Sequence, residues 1–234
     1  NIKIQSGHIS EALNCMRKAF AYYRGINDLE GMIRVAARPE YVPTGYPGYE
    51  DFFASILETL PPDSPDEARV LTYYGADRLM GPGDFAEGER VLRRALAILS
   101  RREDPVLSQH ARIFLAFVYN AQGRFAEALA ILEETRDRCL RHPDNYTEAH
   151  VRYGLSVVLS ALGRRSEARE NLDRMIECSA VHRDHTKTGI AYYLKARYEI
   201  EDGDWEGARE SFDKGLSDYG DHLRLLVHRT MFEY

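Results

Sequence analysis

Apolar residues recur at helical spacing along most of the chain, and the helices that they predict come in pairs. The clearest pair lies in residues 104–140. Its apolar positions are Ala111, Phe114, Leu115, Val118 and Tyr119 in the first helix and Phe125, Ala128, Leu129, Ile131 and Leu132 in the second. Asp104 is a suitable N-cap, and Pro105 fits the first helical position, where its missing N–H is not needed. Gly123 accepts the left-handed conformation that ends a helix. The pattern predicts a helical hairpin.

This hairpin is repeated at a fixed spacing. Glycines recur every 40 residues, at Gly83, Gly123, Gly163 and Gly203. Two positions later come Phe85, Phe125, Arg165 and Trp205, and five positions after each glycine come Gly88, Ala128, Ala168 and Ala208. A fixed period of this length is typical of solenoid proteins. We predict an all-α, right-handed superhelix of stacked hairpins with a ~40-residue period, of which residues 61–220 hold four.

The two ends of the chain follow the pattern less closely. Residues 1–60 are interpreted as degenerate repeats with a Pro/Gly-rich loop at 38–48, although a hinge between two arrays is an alternative. Residues 221–234 are predicted to form a closing helix that caps the array. The chain begins without an initiator Met or an apolar signal region, so we expect it to be a fragment of a larger protein.

Composition narrows the possible functions. The chain is 44% hydrophobic and 29% charged, as in soluble globular proteins, and no run of apolar residues is long enough to span a membrane. The net charge of -6 argues against direct binding of nucleic acid, which requires clustered positive charge. The three cysteines are too few and too scattered for a disulfide framework. We therefore expect a cytoplasmic protein.

Motifs for catalysis or cofactor binding do not occur in the sequence. There is no GxxxxGK[ST], HExxH, CxxC or GxSxG, so we expect neither enzymatic activity nor a cofactor. The run His182-Arg183-Asp184-His185 offers possible metal ligands, but it falls in a predicted turn with no fourth ligand nearby. We interpret it as a solvated turn with Asp184 as a helix cap, and we predict no metal site.

The repeated positions resemble those of the tetratricopeptide (TPR) repeat. When each glycine is taken as the fifteenth position, the eighth position is small, at Ala76, Ala116, Ser156 and Ala196. The twenty-fourth position is apolar, at Leu92, Leu132, Leu172 and Phe212. The sequence departs from the family in its longer period and in Arg165, which replaces an aromatic residue. The resemblance implies that the array binds a protein, a peptide or a small effector.

The same resemblance implies candidate binding residues. In TPR arrays the fifth and ninth positions of each first helix face the concave groove. Here these positions hold Tyr73, Asp77, Ile113, Phe117, Tyr153, Val157, Tyr193 and Arg197. Tyrosine suits a binding surface because it combines a large ring with a hydroxyl. An equally good interpretation is that these rings pack between neighbouring first helices, and the sequence leaves both open.

The amino-acid sequences of the repeats, such as RYGLSVVLSALGRRSEA, also resemble the helical-repeat region of large ATP-binding LuxR-type regulators and related STAND-class ATPases. That resemblance implies a sensor or scaffold in a bacterial multidomain transcription regulator. The alternatives are a stand-alone adaptor and a peptide-responsive phosphatase resembling the Rap type. The phosphatase would need an additional N-terminal helical bundle.

Overall fold

A computed structural model describes residues 9–37, 50–80, 83–102, 104–139, 141, 145–181 and 185–219. Within these ranges the chain forms eleven α-helices and no strand, which confirms the predicted all-α repeat fold. The helices are α1 Ile9–Gly25, α2 Leu29–Ala36, α3 Glu50–Leu57, α4 Pro65–Met80, α5 Phe85–Leu99, α6 Pro105–Ala121, α7 Phe125–Cys139, α8 Asn145–Ala161, α9 Arg165–Val181, α10 His185–Glu201 and α11 Trp205–Tyr219.

Contacts between helices divide the chain into two compact units. The N-terminal unit is Leu13–Thr147, and the C-terminal unit holds Glu148–Tyr234 together with Asn1–Ala12. In the N-terminal unit α4 packs against α5, α5 against α6 and α6 against α7, and the first helices α4 and α6 also touch. In the C-terminal unit α10 packs against both α9 and α11. Within each unit the most extensive contacts are thus between helices adjacent in sequence, as expected of a repeat array.

The glycine in the turn of each hairpin adopts the same left-handed conformation. Gly83, Gly123, Gly163 and Gly203 have φ angles of 69°, 75°, 77° and 80°. This left-handed conformation is unstrained only for glycine, which explains the recurring residue. After Gly123 the Arg124 N–H donates to the Tyr119 carbonyl at 2.8 Å, and after Gly163 the Arg164 N–H donates to the Leu159 carbonyl at 2.8 Å. These bonds satisfy carbonyls at the end of each first helix.

Side chains cap helices in the N-terminal unit, and one of them is the predicted N-cap Asp104. Asp104 accepts a hydrogen bond from the Leu107 N–H at 2.9 Å, directly before α6. Asp84 accepts one from the Glu87 N–H at 3.1 Å, directly before α5. Each bond satisfies a backbone donor that the first turn of a helix leaves without a partner. Local chemistry therefore fixes the helix starts.

The regular spacing of small and apolar residues produces the core. At the twenty-fourth repeat position Leu92, Leu132 and Leu172 are fully buried. The two helices of the α4/α5 hairpin approach closely at Gly75, where an added Cβ would lie 2.4 Å from the Cγ of Leu92. Only a residue without a side chain fits there, since a heavy-atom contact that short is repulsive.

A charged cluster ties the second helix of one hairpin to the next hairpin in the N-terminal unit. Glu89 on α5 pairs with Arg93 at 2.9 Å and with Arg124, which follows α6, at 2.7 Å. The Arg124 guanidinium also lies 3.8 Å from the centre of the Tyr119 ring. Burial by itself would raise the pKa of Glu89, but the hydrogen bond from Arg93 and the charge of Arg124 outweigh it, so the pKa is lowered.

This lowered pKa predicts a loss of stability in acid. The Glu89 carboxylate stabilises the folded chain at pH values above the ordinary glutamate pKa of 4.5, and that contribution disappears as the pH falls through the lower folded pKa. In Glu89→Gln this part of the pH dependence of urea unfolding should be missing, whereas Glu133→Gln should keep it. Glu133 forms no ion pair with any described residue. Equal acid sensitivity of Glu89→Gln and the parent chain would contradict the assignment.

Some sequence predictions lie outside the described residues. These are the loop at 38–48, the closing helix at 221–234 and the turn residues 182–184. In the part of the chain that is described, no helix has the length and apolar character needed to cross a membrane. The described residues also contain no group of three or more potential metal-ligating side chains.

Candidate functional site

In the N-terminal unit most of the predicted binding residues lie in the interior. Tyr73 and Asp77 on α4 are 2% and 1% exposed, and Ile113 on α6 is 1% exposed. Phe117, one helical turn beyond Ile113, is half-buried. A ligand on the surface of this unit therefore has access to at most one of the four residues.

Tyr73 packs between two first helices. Its hydroxyl lies 3.2 Å from Nδ1 of His110, and its ring meets the Phe114 ring edge-on with centroids 6.2 Å apart. Both neighbours are on α6. Of the two interpretations left open by the sequence, packing between first helices is the one that describes Tyr73.

Asp77 is held by a neighbouring cation. Its carboxylate pairs with the Arg78 guanidinium at 2.8 Å, and Arg78 also lies over the Tyr74 ring at 5.0 Å. A buried carboxylate needs such a partner because an isolated buried charge is very costly. Asp77 thus belongs to the interior of the N-terminal unit, and it does not present a free charge to solvent.

In the C-terminal unit the same repeat positions are less completely buried. Tyr153 and Val157 on α8 and Tyr193 on α10 are half-buried, and Arg197 on α10 is exposed. The Tyr193 ring rests 6.2 Å from the Phe212 ring, centre to centre. We call Tyr153, Val157, Tyr193 and Arg197 the tyrosine face. It combines apolar rings, hydroxyl groups and one cation.

Neighbouring groups shift the pKa of Tyr153 and orient Arg197 within the tyrosine face. Burial raises the pKa of Tyr153, the positive charge of Arg197 partly opposes that rise, and the hydroxyls of Tyr198 and Tyr193 add to it. Tyr153 is therefore protonated at neutral pH and can donate a hydrogen bond. Arg197 is oriented by the Tyr198 ring, 5.6 Å away, and by Glu201 at 3.8 Å.

A buried hydrogen-bond pair fixes α8 beside α10 beneath the tyrosine face. The Tyr198 hydroxyl donates to the Ser156 carbonyl at 2.9 Å and lies 3.1 Å from the Ser156 hydroxyl. The repeat pattern marks Ser156 only as a small residue at a packing position and does not predict this pair. Nothing in the sequence pattern signals it, because the two residues are 42 positions apart.

Comparison with known proteins agrees with the helical-repeat fold. The model of the tetratricopeptide repeat family matches residues 109–180, which run from α6 into α9. No curated protein matches the chain. Among solved structures, the chain is similar to a protein of Podosopora anserina designated a putative kinesin light chain with nearly identical TPR-like repeats. The identity is 15%, with 91% of this chain and 97% of that chain covered, and the TM-score is 0.51.

A single-residue variant of that Podosopora anserina protein is also similar, with 15% identity, 91% of this chain and 96% of that chain covered, and a TM-score of 0.53. At such low sequence identity, structural similarity indicates a shared fold but not a shared activity. The chain therefore has the all-α fold of TPR-like repeat proteins, and its residues 109–180 match the tetratricopeptide repeat family.

Proposed function

We propose that the chain is a binding scaffold that holds a protein or peptide segment on the tyrosine face of its C-terminal unit. The supporting observation is the contrast in burial at equivalent positions. Tyr73 is buried in the N-terminal unit, whereas Tyr153 and Tyr193 are half-buried and Arg197 is exposed. Tyrosine and arginine are among the side chains that contribute most to binding interfaces.

The chemistry of the tyrosine face defines the kind of segment that it fits. Apolar side chains of the bound segment would lie against Val157 and the two tyrosine rings of the tyrosine face. Arg197 would pair with an acidic side chain or a chain terminus, since a guanidinium offers several donors to a carboxylate. A small effector with an apolar body and one acidic group would satisfy the same groups.

A peptide-display selection on the full chain tests this proposal. Selected peptides should bind the double variant Tyr153→Ala/Tyr193→Ala at least about 30-fold more weakly, as expected when two interface anchors are removed. Tyr22→Ala is the matched control, because Tyr22 is 64% exposed and lies on α1. Unchanged affinity in a double variant with a parent-like circular dichroism spectrum would exclude the tyrosine face as the binding site.

We further propose that this scaffold is the sensor region of a bacterial multidomain transcription regulator. The resemblance of the repeat sequences to those of LuxR-type and STAND-class proteins supports this proposal. The sequence of the complete gene tests it: an upstream P-loop and a downstream helix-turn-helix are expected. A gene that encodes neither would instead favour a stand-alone adaptor.

A further inference from the structure

The turn between α1 and α2 has the backbone geometry of the hairpin turns, with an asparagine in place of the glycine. Asn27 has a φ angle of 54°, in the left-handed region that the repeat glycines occupy. Its N–H donates to the Arg24 carbonyl at 3.2 Å, three residues earlier. The Gly123 N–H makes the equivalent bond to the Asn120 carbonyl at 3.0 Å. After glycine, asparagine is among the residues found most often in this conformation.

The next residue in the turn continues the match. The Asp28 N–H donates to the Tyr23 carbonyl at 2.9 Å, five residues earlier. The residues that follow Gly123 and Gly163 make the same bond, each at 2.8 Å. Both backbone bonds of the hairpin turn are therefore present between α1 and α2.

The second helix also begins and packs as in the other hairpins. Asp28 is the N-cap of α2, and its carboxylate accepts from the Gly31 N–H at 2.9 Å. Asp204 caps α11 in the same way, with the Gly207 N–H at 3.0 Å. An added Cβ at Gly31 would lie 2.3 Å from Cδ1 of Tyr23, so α1 and α2 approach closely. The two helices thus form a hairpin of the repeat type.

The spacing of this hairpin explains why the fixed period does not reveal it. Asn27 precedes Gly83 by 56 residues, which is 16 more than the repeat spacing of 40. The helix α3 lies in this longer stretch. It is therefore an inserted helix between the second helix α2 and the first helix α4.

The inserted helix contacts the hairpins on both sides of it. The Phe52 ring stacks on the Phe20 ring of α1 with centroids 4.2 Å apart. The Phe53 ring, which is fully buried, lies 5.6 Å from the Tyr74 ring of α4. The helix α2 also packs against both α3 and α4. Aromatic packing therefore continues from α1 through α3 to α4.

Phe20 shows that the insertion and the altered repeat go together. It lies seven residues before Asn27, at the repeat position that is small in the other hairpins. Those small residues are Ala76, Ala116, Ser156 and Ala196. Phe20 is only 3% exposed, and its ring is stacked on the inserted helix. A large residue thus occurs at this position in the hairpin that packs against α3.

We infer that α1 and α2 form a further hairpin of the repeat array, ahead of the four that the period predicts, and that α3 couples it to α4. Since α3 buries aromatic rings against helices on both sides, the segment from α1 to α4 should unfold as one part of the array. The alternative, a hinge between two separate arrays, would let the two sides unfold independently.

Substitutions at Asn27 test the turn. Asn27→Gly should keep or raise the melting temperature, because glycine adopts the left-handed conformation without strain. Asn27→Val should lower it by about 2–8 °C, the cost of placing a β-branched residue there. Asn14→Val is the matched control, at an exposed position within α1. If Asn27→Val were no more harmful than Asn14→Val, the assignment of this turn would be wrong.

Hydrogen exchange of the full chain tests the coupling. Phe53→Ala removes a fully buried ring from α3 and should accelerate exchange at least about tenfold in α1 and α2 as well as in α4. Tyr22→Ala, at a residue of α1 that is 64% exposed, should accelerate exchange in none of these helices. Acceleration in α3 and α4 alone would mean that α1 and α2 belong to a separate array, and it would overturn the inference.

Phe53→Leu keeps the test decisive if the alanine variant does not fold. Leucine leaves most of the buried volume filled, so a smaller acceleration is expected in the same helices. An effect of Phe53→Leu on only one side of α3 would again contradict the coupling. None of these measurements involves binding at the tyrosine face, so their failure leaves the proposed function untouched.

Discussion

Replacing Tyr73 with alanine is expected to lower the free energy of unfolding by about 3–5 kcal/mol, the usual cost of removing a buried aromatic ring. The ring is 2% exposed and meets Phe114 edge-on, so its loss leaves a cavity between α4 and α6. Tyr73→Phe keeps the ring and removes the hydroxyl that is hydrogen-bonded to His110, which should cost about 1 kcal/mol. Urea unfolding of both variants measures the difference.

Tyr22→Ala serves as the control for this series, because the Tyr22 side chain is 64% exposed in the same unit. Its unfolding free energy should remain within about 0.5 kcal/mol of the parent value. If Tyr73→Ala were as mild as Tyr22→Ala, Tyr73 would have to lie at an open surface. The interpretation of this residue as a packing residue would then be wrong.

The second large effect is expected in the core of the C-terminal unit. Leu172 on α9 is 1% exposed, and Leu172→Ala should lower the unfolding free energy by about 2–5 kcal/mol. The matched variant Leu162→Ala makes the same chemical change at a side chain that is 40% exposed, and it should cost less than about 0.5 kcal/mol. Thermal and urea unfolding of the two variants provide the comparison.

The Leu172→Ala variant can also be checked by asking which helices lose stability. In a repeat array each hairpin is stabilised by itself and by its neighbours, so the loss should be greatest near the altered helix. Hydrogen exchange should accelerate most in α9 and in α10, which packs against it. Uniform acceleration through all described helices would instead indicate one cooperative core and would contradict the repeat description.

The helices and turns could be predicted because their signals are local. Asp104 and Pro105 mark the start of α6 by chemistry that acts within one helical turn. Gly123 and Gly163 are needed for a backbone conformation that other residues adopt only with strain. The fixed spacing of these local signals then indicates that the same unit is repeated. Fold class therefore followed from short-range rules.

The candidate site could be predicted only in part, because burial depends on distant neighbours. Tyr73 and Tyr153 share a repeat position and a side chain, but the first is buried and the second is half-buried. A sequence position defines which helix face a residue occupies, not how completely other helices cover it. The role of Arg165 was also not predicted, since its partner Asp202 follows in another hairpin.

Hydrogen exchange of the full chain with and without a display-selected peptide shows whether the tyrosine face holds the bound segment. We expect new protection in the middle of α8 around Tyr153 and in α10 around Tyr193, the two helices that carry the tyrosine face. Protection confined to α4 and α6, or to α9 and α11, would mean that the segment binds elsewhere and that the proposed function is wrong.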